Sequence, residues 1–170
     1  MVLDAMDDNT DYALLLAQAT ALTESEPDSL ANLSNISALL FETITGLNWC
    51  GFYFKRGDEL VLGPFQGRSA CTRIAWGKGV CGTAAATGET QRIADVHAFE
   101  GHIACDAASE SEIVIPLMVA NEVIGVLDID SPRKARFSAQ DQSGIEPIAK
   151  LCERLLANER DSLGLLSGRG

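Results

Sequence analysis

An α+β fold follows from three features of this chain: two helical segments near the amino end, a run of short strands through the middle, and one long amphipathic helix near the carboxyl end. The order suggests a sheet with helices packed on one face. Asp11 or Thr10 can cap a helix from about Tyr12 to Leu22. A second helix is expected near Pro27, a residue tolerated in a first turn. Leu30, Leu33, Ile36, Leu39 and Leu40 give it an apolar stripe, and Gly46 ends it.

Strands follow. Trp49-Cys50-Gly51-Phe52-Tyr53-Phe54 is aromatic, Gly57-Asp58 makes a turn, and Glu59-Leu60-Val61-Leu62 completes a hairpin. Cys71 to Trp76 reads as a further strand and Gly79 to Thr87 as a short helix ended by Gly88. Residues 94–111 show little periodicity, and loops of this length in compact domains are often functional. Two apolar strands, Glu112–Val119 and Val123–Asp130, flank Ala120-Asn121-Glu122. The last helix runs from about Ser138 to Asn158, with Ser138 as cap and Asp141 in its first turn. Neither repeats nor linkers are visible. The expected organisation is a disordered stretch over 1–10, one domain over 11–160 and a flexible tail over 161–170.

A chain of 170 residues can bury roughly 70% of its unfolded surface, so it needs no disulfide to fold. Met1-Val2-Leu3-Asp4 lacks a basic export signal, and no apolar run approaches the roughly 18 residues of a membrane span. A cytoplasmic protein without membrane contact is expected. The net charge is -11, and residues 1–54 hold no Lys or Arg against eight Asp and Glu. That argues against nucleic-acid binding, which needs a basic footprint to displace counterions.

Five cysteines are present. Cys50 in an apolar strand and Cys152 in the last helix read as small buried residues. Cys71, Cys81 and Cys105 sit instead in polar, glycine-rich surroundings, where they could be inert, metal-bound or catalytic. Zinc is disfavoured. No pair has the CxxC spacing that structural sites nearly always contain, although His97 and His102 could add ligands. In a thiol redox site one thiolate attacks an electrophile and a second thiol resolves the product, which tolerates long separations.

Asp128 and Asp130 alternate along one strand and share a face with Ile124 and Val126. Glu112 joins that face if the hairpin loop is odd, or if it is even and a bulge at Pro116 resets the register. Convergence of the three would raise at least one pKa, keep a proton available and hold a cationic ammonium group. Trp49 and Tyr53, four apart on a strand, share a face as core residues or as the wall of a pocket for a small apolar or cationic group.

At this point the sequence resembles the free methionine-R-sulfoxide reductases, a family built on a GAF domain. The likeness covers roughly residues 30–158. It is carried by Gly63-Pro64-Phe65-Gln66-Gly67 leading to Cys71, by Gly77-Lys78-Gly79-Val80-Cys81-Gly82, and by Asp95-Val96-His97-Ala98-Phe99-Glu100-Gly101-His102-Ile103-Ala104-Cys105-Asp106. Ser109 to Leu117 and Gly125 to Ser131 complete it. Glu100 stands where the family has Pro.

The resemblance implies a single GAF domain: a central, mostly antiparallel sheet of about six strands with N- and C-terminal helices on one side. It implies reduction of free methionine-R-sulfoxide by way of a cysteine sulfenic acid and an intramolecular disulfide. No metal or organic cofactor is implied; a thioredoxin-like dithiol recycles the thiols, and a homodimer is common in the family. By carry-over, Cys105 is the attacking cysteine, Cys71 the resolving one and Cys81 a third that can also pair with Cys105. Glu112, Asp128 and Asp130 match the acidic pocket residues, and Trp49 and Tyr53 the aromatic wall. A GAF fold also serves small-molecule sensors, so ligand sensing or a redox switch without turnover is the alternative expectation.

Overall fold

The computed structural model describes residues 8–103, 105 and 107–158. The expectations for residues 1–7 and 161–170 lie outside the described residues. Helices α1 (Tyr12–Thr23) and α2 (Ser29–Thr43) come first, then strands β1 (Trp49–Arg56), β2 (Glu59–Gly67) and β3 (Arg73–Ala75). Helix α3 (Gly79–Thr87), strand β4 (Gln91–Ile93) and one 3-10 turn (Val96–Ala98) lead to the hairpin β5 (Ser111–Val119) and β6 (Glu122–Ser131), and α4 (Ala139–Asn158) closes the fold. The six strands form one sheet in the order β3-β2-β1-β6-β5-β4, and every neighbouring pair is antiparallel. No described helix is long and apolar enough to cross a membrane.

Local chemistry sets the helix ends. The Asp11 carboxylate accepts from Leu14 N–H at the start of α1, and Asp28 does the same for Ala31 at the start of α2. Pro27 therefore lies just before the cap rather than in the first turn. The chain leaves α2 at Thr43, and Gly46, at φ +74°, turns it toward β1 only afterwards. Ser138 and Asp141 form a reciprocal cap on α4: Asp141 N–H donates to Ser138 Oγ, and Ser138 N–H to Asp141 Oδ2. Buried Arg136 donates to the same carboxylate at 3.1 Å.

Side chains alternate across each strand, so the sheet has two different faces. Helices α1, α2 and α4 cover one. Leu15, Leu33, Ile36 and Leu40 meet Cys50, Phe52 and Phe54 of β1, Ile113 and Ile115 of β5, Leu127 and Ile129 of β6, and Ile145, Ile148 and Cys152 of α4. Helix α3 lies on the other face with a smaller cluster: Trp49, Tyr53, Leu60, Ile74, Val80, Cys81, Val114 and Val126.

The β5–β6 hairpin turns on two residues, Ala120 and Asn121, both left-handed at φ 52° and 64°, as a tight primed turn requires. A two-residue loop alone would set Glu112 opposite Ile129 and aim it into the helical core. The register instead passes from Met118↔Val123 to Leu117↔Gly125, so Ile124 is an extra residue in β6. Beyond this bulge Glu112 pairs with Asp130 and Val114 with Asp128. The loop is thus even and a bulge restores the register, but the bulge is at Ile124 and not at Pro116. It also moves Ile124 from its expected face: Ile124 packs with the helical core and Val123 with the α3 cluster.

Two further departures concern the glycine-rich middle. Gly63 to Gly67 is not a loop but continues β2 along β1, after an extra residue between the Tyr53↔Leu62 and Gly51↔Phe65 pairs. Strand β4 breaks the stretch before the long loop; three residues are too few to show a period of two.

Candidate active site

The α3 face holds an open-mouthed hollow with about 510 Å³ of empty space, a figure that includes open solvent. Its aromatic wall comes from β1. Trp49 and Tyr53 are both 2% exposed and stack at 5.8 Å, and Phe65 stacks on Trp49 at 5.2 Å. Gly51 makes this possible: a Cβ there would lie 2.3 Å from that of Phe65. The polar tips of both aromatics hold the chain that carries Cys71. Trp49 Nε1 donates to the Arg68 carbonyl at 3.1 Å, and the Tyr53 hydroxyl to the Cys71 carbonyl at 3.0 Å.

Glu112, Asp128 and Asp130 form the floor, all buried. Burial raises the pKa of Asp128 well above the ordinary carboxylate range, and the charges of Asp130 and Glu112 add to it. Burial raises Glu112 too, against hydrogen bonds from Asp128, Asp130 and Cys81 that favour its ionised form. Three acids in one hollow cannot all ionise cheaply, so burial and mutual repulsion favour a retained proton. Asp128 Oδ1 is buried with no hydrogen-bond partner, a position an ammonium would satisfy.

The cysteines separate into three kinds. Cys71 and Cys105 form a disulfide with Cα atoms 5.3 Å apart; both are half-buried, and Cys105 lines the cavity. Cys81 lies in the first turn of α3 with its sulfur 3.8 Å from Glu112 Oε1. Burial, then the charges of Asp128 and Glu112, push its thiol far up, so it is a neutral group in this state. Cys50 and Cys152 are fully buried in the helical core, as expected for structural thiols.

Metal-ligand atoms approach one another in two groups among the described residues: Cys81 with Glu112 and Asp128, and Asp95 with His97 and Glu110. The first needs a thiolate that its surroundings suppress. In the second, Asp95 already accepts from His97 N–H and pairs with Lys134, and His97 pairs with Glu110. His102 lines the cavity with its ring edge-on to His97 at 6.2 Å, and burial and then His97 lower its pKa.

The structure therefore brings Cys105, Cys81, Trp49, Tyr53, Glu112, Asp128 and Asp130 to the lining of one hollow, while Cys71 is joined to it only through its disulfide with Cys105. Lys78, His102, Ile103 and Ser109 also line it, and reasoning from residue type passed over them as site residues. A signal existed for Lys78, which stands between two glycines immediately before a helix.

Residues 31–157 match the GAF domain family. Free methionine-R-sulfoxide reductase of Escherichia coli is 56% identical over 146 residues, covering 86% of this chain and 88% of the relative. The reduced form of fRMsr from Staphylococcus aureus superposes with a TM-score of 0.85 at 52% identity, covering 88% of this chain and 97% of the other. Free methionine-R-sulfoxide reductase from Neisseria meningitidis, in complex with its substrate, gives 0.86 at 44% identity, with 89% and 92% covered.

Fold and cavity together define a GAF domain with a disulfide whose Cys105 lines an acidic pocket. More narrowly, the chain belongs to the free methionine-R-sulfoxide reductase family.

Proposed function

We propose that the protein reduces free L-methionine-(R)-sulfoxide to L-methionine. The observation that carries this reading is a half-buried cysteine pair, of which Cys105 lines a cavity floored by three buried carboxyl groups. With Cys71 and Cys105 reduced, the Cys105 thiolate attacks the sulfoxide sulfur. The oxygen is a poor leaving group until protonated, and a carboxylic acid of the floor, kept neutral by burial and by its neighbours, supplies the proton. The sulfur–oxygen bond of the substrate breaks, Cys105 takes the oxygen as sulfenic acid, and methionine leaves two electrons richer.

Cys71 then displaces the oxygen as water and closes the disulfide. The Tyr53 hydroxyl, bonded to the Cys71 carbonyl, fixes the chain where this second step ends. A thioredoxin-like dithiol of the cytoplasm, with a potential of about -270 mV, restores both thiols. Selectivity for the free amino acid follows from the floor: an amide nitrogen in place of the ammonium leaves buried charge unpaired.

Single-turnover chemistry without reductant tests this. Reduced Cys71→Ser protein is expected to release up to one equivalent of methionine per site from the free (R)-sulfoxide, and Cys105→Ser none. Full turnover by Cys105→Ser would sink the assignment. Binding of the sulfoxide by wild-type protein with no methionine released would favour a sensor instead.

A further inference from the structure

We propose that the exposed chain around Cys71, from Gln66 to Arg73, is the docking surface for the reductant, a dithiol protein with an acidic face, and that the reductant's thiolate attacks Cys71 and expels Cys105 into the cavity. This rests on the reading that the Cys71–Cys105 disulfide is the oxidised form of a thiol reductase.

The disulfide joins two stretches of opposite charge. Residues 60–88 carry Arg68, Arg73 and Lys78 and no Asp or Glu, in a chain with 24 acids and a net charge of -11. Residues 93–132, which carry Cys105, hold eight Asp and Glu and no Lys or Arg. The two sulfurs therefore stand in contrasting surroundings. An attacking thiolate is an anion, and so is an acidic protein face. Both are drawn to the Cys71 side and repelled from the Cys105 side.

Exposure agrees with charge. Cys105 shares the cavity lining with Glu112, Asp128 and Asp130, whereas Cys71 is not part of that lining. Gln66, Gly67, Arg68, Ser69, Thr72 and Arg73 are exposed around Cys71. The protein holds this stretch by its backbone: the carbonyls of Arg68, Cys71 and Thr72 accept from Trp49 Nε1, the Tyr53 hydroxyl and Leu62 N–H. A surface already fixed costs less ordering on binding. Arg68 and Lys78 have no ion-pair partner among the described residues, and Arg73 meets Glu59 in an exposed pair of little energetic weight. Ile103, 40% exposed, adds an apolar contact on the lining it shares with Lys78 and Cys105. Apolar contact within a polar rim is a common form of protein interface.

The exchange balances. The reductant's thiolate bonds to Cys71 Sγ, the Cys71–Cys105 bond breaks, and Cys105 leaves with the electron pair. The acids around Cys105 make it the poorer leaving group by charge alone. The proton retained on the floor passes to its sulfur and offsets this. The reductant's second thiol then attacks its own sulfur in the mixed disulfide and releases Cys71, so the reductant gives up two electrons and becomes a disulfide.

A thioredoxin of net negative charge is the probe. With its resolving cysteine replaced by serine, it should trap a mixed disulfide that peptide mapping places at Cys71. With both thiols intact, its reduction of the disulfide is followed by stopped flow at low salt, with no sulfoxide present. Arg68→Glu/Arg73→Glu should slow that reduction by about tenfold or more, an effect that shrinks as salt screens the charges. The same variant should slow reduction by dithiothreitol far less, and Arg68→Lys/Arg73→Lys should keep the wild-type rate with thioredoxin.

A mixed disulfide at Cys105, a rate indifferent to charge reversal and salt, or equal slowing of the two reductants would overturn the proposal while leaving the reductase reading intact. Charge-dependent reduction of a protein that forms no methionine from the free (R)-sulfoxide would do the opposite, keeping the docking surface and removing the reductase.

Discussion

The two faces of the sheet are built from the same strands, yet they do opposite things. On β6, Leu127 and Ile129 point into a core with 0% exposure, while Asp128 and Asp130 between and beyond them floor the cavity. On β1, Cys50 and Phe52 face the helices, while Trp49 and Tyr53 face α3. Burial raises both Cys50 and Cys81; Asp130 adds to it at Cys50, and Asp128, Glu112 and Asp130 add to it at Cys81. The helix face gains stability from burying carbon. The α3 face gives some up to hold carboxyls that water would solvate better. A period of two thus lets one strand serve both a core and a site, provided the register holds.

The contrast breaks most violently if an acid is moved across the sheet. Ile129→Asp puts an unpartnered carboxylate among Cys50, Ile113 and Cys152, and loss of the folded state is expected, at a cost of about 4 kcal/mol or more. Circular dichroism would report it. Ile129→Ala at the same position should cost about 2–5 kcal/mol through the cavity it leaves, measured by urea titration.

The reverse exchange should have the reverse sign. Asp128→Asn removes a carboxyl whose folded-state pKa is raised by burial and by neighbouring acids. A group raised in this way favours folding below its unfolded pKa, and that contribution is lost as pH rises through the folded value. The variant should therefore be more stable than wild type at neutral pH, by about 1–2 kcal/mol, or ~2–4 °C in Tm per kcal/mol at this chain length. The advantage should shrink as pH falls to the ordinary carboxylate range. The same variant should lose about 100-fold or more in kcat/KM as a buried charge partner disappears. Scanning calorimetry across pH separates the two effects.

How much of this contrast could be read from sequence depends on the element. The helical core was legible because Leu33, Ile36 and Leu40 recur at 3.6, and α4 announced itself through Ser138 and Asp141. The pairing of Asp128 with Asp130 was legible because two acids on an apolar strand need a reason. The position of Glu112 was not, since it turns on whether an even loop is followed by a bulge, and nothing in Val123-Ile124-Gly125 says which residue will be left unpaired. The continuation of β2 through Gly63-Pro64 was equally hidden, because a bulge tolerates the glycine and proline that signal a loop. The roles of the cysteines and acids came from the family likeness; geometry brings those residues together.

Smaller effects sharpen the comparison within the α3 face. Tyr53→Phe keeps the ring of the wall but deletes the hydrogen bond to the Cys71 carbonyl. One bond of about 1 kcal/mol corresponds to roughly fivefold. Disulfide closure after the first turnover should slow by that order, followed by the rate of thiol loss in rapid quench. The mildest expectation concerns the two buried thiols of the helix face. In folded, reduced protein Cys50 and Cys152 should resist alkylation far longer than Cys71 and Cys105, because burial pushes both thiols up, Cys152 to about 12. Mass spectrometry after a timed pulse of iodoacetamide ranks them.

The central claim is that the sulfur at position 105 receives the substrate's oxygen above the acidic floor, and intact-mass analysis of a Cys71→Ser/Cys81→Ser protein after one exposure to the free (R)-sulfoxide tests it most directly. The account predicts one methionine released per chain and one added oxygen, or its dimedone adduct, mapped to Cys105. Methionine formed with no oxygen on Cys105, or no methionine at all from a folded protein, would contradict it.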